Sequence, residues 1–187
     1  MALERFAGLA GYTVLTDDIE LDDAFDALSY DVILVSPGSA ASFREVIGFF
    51  SSHKAAIREF VDSGRPLIVT GATAAVFGKE ITLRDGTVLE GTGLIDVTTK
   101  ERDFAYGDDL YFSASYNGED MEIIGSQIQM TDVFVGDEVP FGKLVYGYGN
   151  NGKDRTEGVM KNNSIFTNTL GPMLILSPWL TRQVIAA

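Results

Sequence analysis

A mixed α/β fold is predicted for this chain, on three observations. Two apolar runs rich in branched residues, Asp31-Val-Ile-Leu-Val-Ser36 and Pro66-Leu-Ile-Val-Thr70, stand on either side of helical material from Ala41 to Val61. Continuous rather than alternating apolarity marks strands buried on both faces, and strand, helix, strand at this spacing is a right-handed βαβ unit with parallel strands. From Gly93 onward the pattern turns to alternation, in Gly93–Lys100, Asp109–Tyr116, Met121–Met130 and Lys143–Tyr148, which predicts antiparallel pairing. The third observation is size: 187 residues with no linker, repeat or low-complexity tract are expected to form one domain, 1–187, with a real core.

Taken in order, Ala2–Leu9 reads as a helix with Gly11 as its stop, and Tyr12–Leu15 as a short strand. The acidic stretch Asp17–Asp23 lacks the alternating ligands and glycine of a calcium loop and reads as a solvated loop. The long helical stretch should break near Ser51-Ser52, then present Ile57, Phe60 and Val61 inward and end at Gly64. Ala72–Phe77 reads as a short helix. Ile81-Thr-Leu, the turn Asp85-Gly86 and Thr87-Val-Leu89 form a hairpin. The glycine-rich Gly147–Gly152 is followed by strand patterns at Gly158–Lys161 and Ser164–Thr169, so it reads as a polar hairpin loop; a phosphate loop needs a helix after it. Ser177-Pro178 opens a last helix, with Trp179, Leu180 and Val184 expected inward.

Composition removes whole classes of function. A net charge of −13 repels phosphate backbones and anionic lipid, so neither nucleic acid nor membrane is expected as a partner. With no cysteine there can be no disulfide, thiolate metal site or cysteine nucleophile, and a single histidine, His53, rules out a multi-histidine metal centre. No metal or cofactor is implied. The start carries an acid and lacks a long apolar core, and no run approaches the ~18 apolar residues of a membrane span, so a cytoplasmic location is expected.

The chain is organised around Arg65–Gly78, where a strand passes into a helix at a single bend residue. That is the layout of a nucleophile elbow, but the bend residue is Gly71, which has no side chain to react. Several segments together resemble the class I glutamine amidotransferases of the CobB/CobQ (cobyric acid synthase-like) group, and within it the GatD group of glutaminase subunits that serve lipid II amidation. They are Asp31–Ser39, Gly78–Thr82, Asp85–Asp96, Gly147–Asn151 with Glu157-Gly158, and Gly171-Pro172, in the family's order. The resemblance implies a flavodoxin-like fold, a mixed sheet with helices on both faces and an antiparallel C-terminal half. It also implies a strand before Ala2–Leu9, which here would precede Met1; either the sheet is rearranged, the chain starts upstream, or the registration differs.

In that family a cysteine on the elbow attacks the glutamine amide, a distant histidine activates it, and backbone N–H groups hold the oxyanion. Anchored on Gly78, the cysteine position falls on Gly71 and a following glutamine on Ala75; the histidine before Gly-Pro falls on Leu170, and a basic residue of the GatD group falls near Ala105. The catalytic set is therefore degenerate. Ser36, Gly38, Ser39 and Ala72 match the loop and turn that shape the oxyanion hole, whose backbone donors survive side-chain loss and could bind a small amide or carboxylate. Thr70 and Thr73 carry hydroxyls beside the bend but lack an adjacent base, and local bonding to backbone is the simpler role. His53 precedes Ile57 by one helical turn and reads as a cap on the apolar face. The resemblance implies a catalytically inactive binding or scaffold subunit, with a MurT-like Mur ligase as its natural partner. The alternatives are a divergent active amidotransferase or hydrolase using Thr70, Thr73 or partner residues, and a small-molecule sensor using the vestigial cleft.

Overall fold

A computed structural model describes residues 2–170 and 173–187 of the chain. The first half lays down the parallel layer. Helix α1 (Ala2–Leu9) ends where Gly11 takes φ +88, a left-handed conformation open to glycine. Strand β1 (Ile33–Val35) leads through a 3₁₀ turn, Ala40–Ser42, into α2 (Phe43–Ser52); the helix breaks at His53 and resumes as α3 (Lys54–Asp62). Ile57, Phe60 and Val61 are buried, as their spacing predicts. Strand β2 (Leu67–Thr70) lies parallel to β1, Ile33 against Leu67 through Val35 against Val69.

Beyond the bend at Gly71, a seven-residue 3₁₀ helix, Gly71–Phe77, replaces the α-helix expected at Ala72–Phe77. The small residues there allow the tighter winding, which keeps the segment against the sheet. Strands β3 (Glu80–Thr82) and β4 (Val88–Glu90) form the predicted hairpin. Strands β5 (Val97–Tyr116) and β6 (Glu119–Val135) form one long hairpin around Asn117-Gly118, both at positive φ. The two separate strands expected at Gly93–Lys100 and Asp109–Tyr116 are thus one strand, with a register shift between Glu101 and Tyr106. The polar stretch between them hid the continuity, because cross-strand pairing to β6 sustains it rather than burial. Strands β7 (Gly142–Tyr146) and β8 (Thr156–Glu157) enclose the glycine-rich loop as a hairpin.

The chain then crosses between layers. After β9 (Val159–Lys161), β10 (Ser164–Thr167) lies parallel to β2, and two residues later β11 (Thr169–Leu170) joins β6. Helices α4 (Met173–Leu176) and α5 (Pro178–Ala186) follow; Gly171-Pro172 lies outside the described residues. The result is two sheets: β1-β2-β10-β9, parallel except at β9, and a mostly antiparallel β11-β6-β5-β3-β4 with β7 and β8 attached to β5. β2 divides two cores. Leu67 and Val69 pack with Phe50, Phe60 and Phe77, whereas Ile68 packs with Phe112, Ile123, Ile165 and Leu180.

Two further expectations are corrected. Tyr12–Leu15 is not a strand: among the described residues no strand pairs with it, and its side chains are exposed, Leu15 at 92%. Trp179 points outward, 61% exposed, while Leu180 and Val184 are buried as predicted. One turn of helix offers one inward face, and adjacent Leu180 occupies it. Among the described residues no helix is long and apolar enough to cross a membrane.

Candidate functional site

The elbow is built by geometry that only glycine tolerates. Thr70 ends β2 extended, at φ −116 and ψ 150, and Gly71 then turns the chain at φ +66. A Cβ placed on Gly71 would lie 2.7 Å from Pro37 Cβ and 2.9 Å from Leu170 Cδ2. Gly71 is therefore buried beneath two apolar side chains, one from the loop after β1 and one from β11.

The hydroxyls around the bend are engaged with backbone. Thr70 Oγ1 donates to Val35 O at 3.3 Å and Thr73 Oγ1 to Ser36 O at 3.0 Å, so both tie the elbow to the β1 loop. Ser42 Oγ donates to Ser39 O at 2.9 Å, and a Cβ on Gly38 would stand 3.0 Å from Thr73 Oγ1. Ser36, Gly38 and Ser39 are exposed at the lip, while Ala72 is buried. His53 lies at the break between α2 and α3, its Nδ1 2.9 Å from Phe49 O and its ring packed on Phe25 and Phe49.

A buried acid that sequence reading did not single out as a functional residue sets the position of Leu170. Glu157 is fully buried, and its Oε1 accepts from Thr167 Oγ1 at 2.6 Å, Asn168 N at 2.9 Å, Thr169 Oγ1 at 3.1 Å and Thr169 N at 3.2 Å. These donors all belong to the corner between β10 and β11, so the carboxylate fixes the step by which the chain changes sheets. Burial pushes the Glu157 carboxyl above its ordinary value, and the hydrogen bonds oppose that rise.

Behind Leu170 runs a ladder of buried amides. Gln127 Nε2 donates to Gln129 Oε1, and Gln129 Nε2 donates to Thr131 O at 2.6 Å and Asn150 O at 2.7 Å. Gln127 Oε1 accepts from Gly149 N at 3.0 Å, and Gly158 N donates to Asn150 Oδ1 at 2.8 Å. The glycine-rich loop is thereby pinned to β6 rather than left in solvent. Ala105 falls in the irregular part of β5, exposed; three residues earlier, Arg102 pairs with Asp132 at 2.7 Å, donates to Tyr148 Oη and lies 4.5 Å from that ring's centroid. An open groove elsewhere, lined by Lys143, Arg155, Trp179 and Arg182, involves none of the elbow residues. Among the described residues no three His, Asp or Glu side chains group to hold a metal ion.

Comparison with known proteins places this geometry. No family model matches the chain. It is 26% identical over 144 residues to the lipid II isoglutaminyl synthase (glutamine-hydrolyzing) subunit GatD of Staphylococcus aureus, a match covering 77% of this chain and 58% of that one. The chain thus spans a little over half the length of this curated relative. In fold it is similar to the structure of PurLQS from Thermotoga maritima, with TM-score 0.59 and 12% identity over 99% of this chain and 88% of that one. A crystal structure of glutamine amidotransferase aligns with TM-score 0.55 and 14% identity over 100% and 93% of the two chains. In sequence the chain is similar to GatD, and in fold to glutamine amidotransferases.

Within that likeness, the two positions that the resemblance singled out are neighbours in space. Gly71 and Leu170 are 99 residues apart in sequence, yet the β10–β11 corner brings Leu170 to the elbow. The amide ladder was missed although its signal was present. Met121, Ile123, Gln127, Gln129, Thr131 and Val133 share the inward register of β6, and three polar residues in that register announce a buried network.

Proposed function

We propose that this glutamine amidotransferase-like chain carries no glutaminase chemistry of its own and acts as a binding or scaffold subunit of a ligase-type complex in cell-wall precursor modification. One observation carries the reading: Leu170 Cδ2 and Pro37 Cβ fill the space a side chain on Gly71 would need, in a chain without cysteine. Glutamine hydrolysis in this family needs a thiolate to attack the amide carbon and an imidazole to take and return the proton. Glycine and leucine supply neither, and they pack rather than leave a cavity. What remains is the backbone of the Ser36–Ser39 loop and of Ala72, suited at most to an amide or carboxylate oxygen. Thr70 and Thr73, bonded to carbonyl oxygens, have no neighbouring base to activate them.

The partner follows from the relative: GatD is a subunit of lipid II isoglutaminyl synthase, so a MurT-like Mur ligase is the expected partner here. Co-purification of the tagged chain with such a ligase from the same organism tests this. A stoichiometric complex supports the reading; absence of association, with both proteins folded, overturns the partner assignment.

A further inference from the structure

We infer that the open groove between α5 and the strands β5, β6 and β7 is a binding site for a neutral oligosaccharide. The inference stands apart from the reading of the elbow, because the two lie at opposite ends of the parallel strands. Tyr116 Oη donates to Asn163 O at 2.7 Å, one residue before β10 begins, so the tip of the β5–β6 hairpin sits at the start of β10. β10 runs parallel to β2, and Gly71 follows the far end of β2.

The groove is built on fixed elements. Asn117 Nδ2 donates to Gln183 O at 3.1 Å, which ties the hairpin tip to α5. Leu180 and Val184 bury the inner face of α5, and Trp179, Arg182 and Gln183 line the groove. The Trp179 ring is exposed, with the Arg182 guanidinium 6.0 Å from its centroid. On the other side, Arg155 takes φ +58, uncommon for a residue with a side chain. Its guanidinium donates to Val145 O at 2.9 Å and Leu144 O at 3.1 Å, so that wall is held in place. Ser113 and Ser115 of β5 add hydroxyls rather than bulk. The groove measures about 1340 Å³. Sites for a single small molecule run to about 1,000 Å³, so this one suits a ligand of several linked units.

Charge and polarity select the ligand. Lys143, Arg155 and Arg182 line the groove and form no ion pair among the described residues. Glu119, Asp120 and Glu122 line it as well, while Asp154 spends its carboxylate on Asn151 and Thr156. In a chain of net charge −13 this lining is close to balanced. An anionic ligand would meet three carboxylates, a cationic one would meet three cations, and an apolar one would strip water from all six. A neutral ring bearing hydroxyls satisfies the whole set. Each hydroxyl donates to a carboxylate or amide oxygen and accepts from an ammonium or guanidinium at the same time. The less polar face of the ring then lies on the indole of Trp179, whose flat surface is apolar and rigid.

Trp179 is the only tryptophan in the chain, so its fluorescence reports on this groove alone. The test titrates the full chain with cellohexaose, maltohexaose and chitohexaose, following indole emission and then titration calorimetry. Expected are a saturable change in emission with at least one hexasaccharide and binding at least about tenfold weaker in Trp179→Ala, the loss of one stacked ring being worth about that factor. Arg182→Ala should weaken the same ligand, and both variants should keep the wild-type circular dichroism spectrum. No response to any of the three sugars at millimolar concentration would overturn the inference, as would unchanged affinity in Trp179→Ala. An equal emission response to inorganic phosphate, or to a mixed lysine–glutamate peptide, would also overturn it, in favour of an anion or peptide site.

Discussion

Gly71→Ala adds one methyl group at the point where three elements meet. Two penalties are expected. An L-residue at φ +66 carries about 1–2 kcal/mol of backbone strain. The new Cβ would also stand 2.7 Å from Pro37 Cβ and 2.9 Å from Leu170 Cδ2, well inside van der Waals contact. Overpacking of this kind costs about 1–3 kcal/mol, so the total is about 2–5 kcal/mol. Leu170→Ala removes one of the two clashing groups, so the cost of Gly71→Ala should fall by about 1 kcal/mol or more in that background, within the usual range for residues in contact. Urea denaturation followed by far-ultraviolet circular dichroism, on wild type, both single variants and the double variant, measures the cycle. Additivity to within about 0.5 kcal/mol would refute the packing argument. So would a Gly71→Ala variant that is stabilised by about 0.4–1 kcal/mol, the result expected where glycine has an ordinary φ.

Other residues make separate predictions. Because the native Glu157 carboxyl titrates above its ordinary 4.5, the native state binds its proton more tightly than the unfolded chain. Its contribution is fully present below that value and is lost as pH rises through the native one. Glu157→Gln does not titrate, so the stability of wild type relative to Glu157→Gln should decline with rising pH across that window; a pH-independent difference in paired melts contradicts this. Leu180→Ala should cost about 2–5 kcal/mol, whereas Trp179→Ala, with its ring outward, should stay within about 0.5 kcal/mol in the same denaturation assay.

Much of the architecture was legible because it rests on local pattern. The continuous apolar runs around Ile33 and Ile68 announced the parallel strands, although only β2 is buried on both faces and Leu34 on β1 is exposed, and Ile57, Phe60 and Val61 announced the inner face of α3. What escaped depends on pairing at a distance. Tyr12–Leu15 has strand composition but no partner strand among the described residues, and composition alone cannot supply one. The joining of two predicted strands into β5 depends on register with β6, which no short window contains. At the elbow, sequence indicated a bend residue unable to react. Only the fold places Leu170 and Pro37 over it, and only the fold shows Glu157 holding the corner that delivers Leu170.

The central claim is that the closed elbow performs no glutaminase chemistry. Ammonia release from glutamine by the purified chain, alone and with a MurT-like ligase present, tests it most directly. The account predicts no release above the uncatalysed background from this chain in either condition. Glutamine-dependent release that disappears in Thr70→Ala or Thr73→Ala would contradict it, and would mean that a hydroxyl bonded to Val35 O or Ser36 O in this structure becomes a nucleophile.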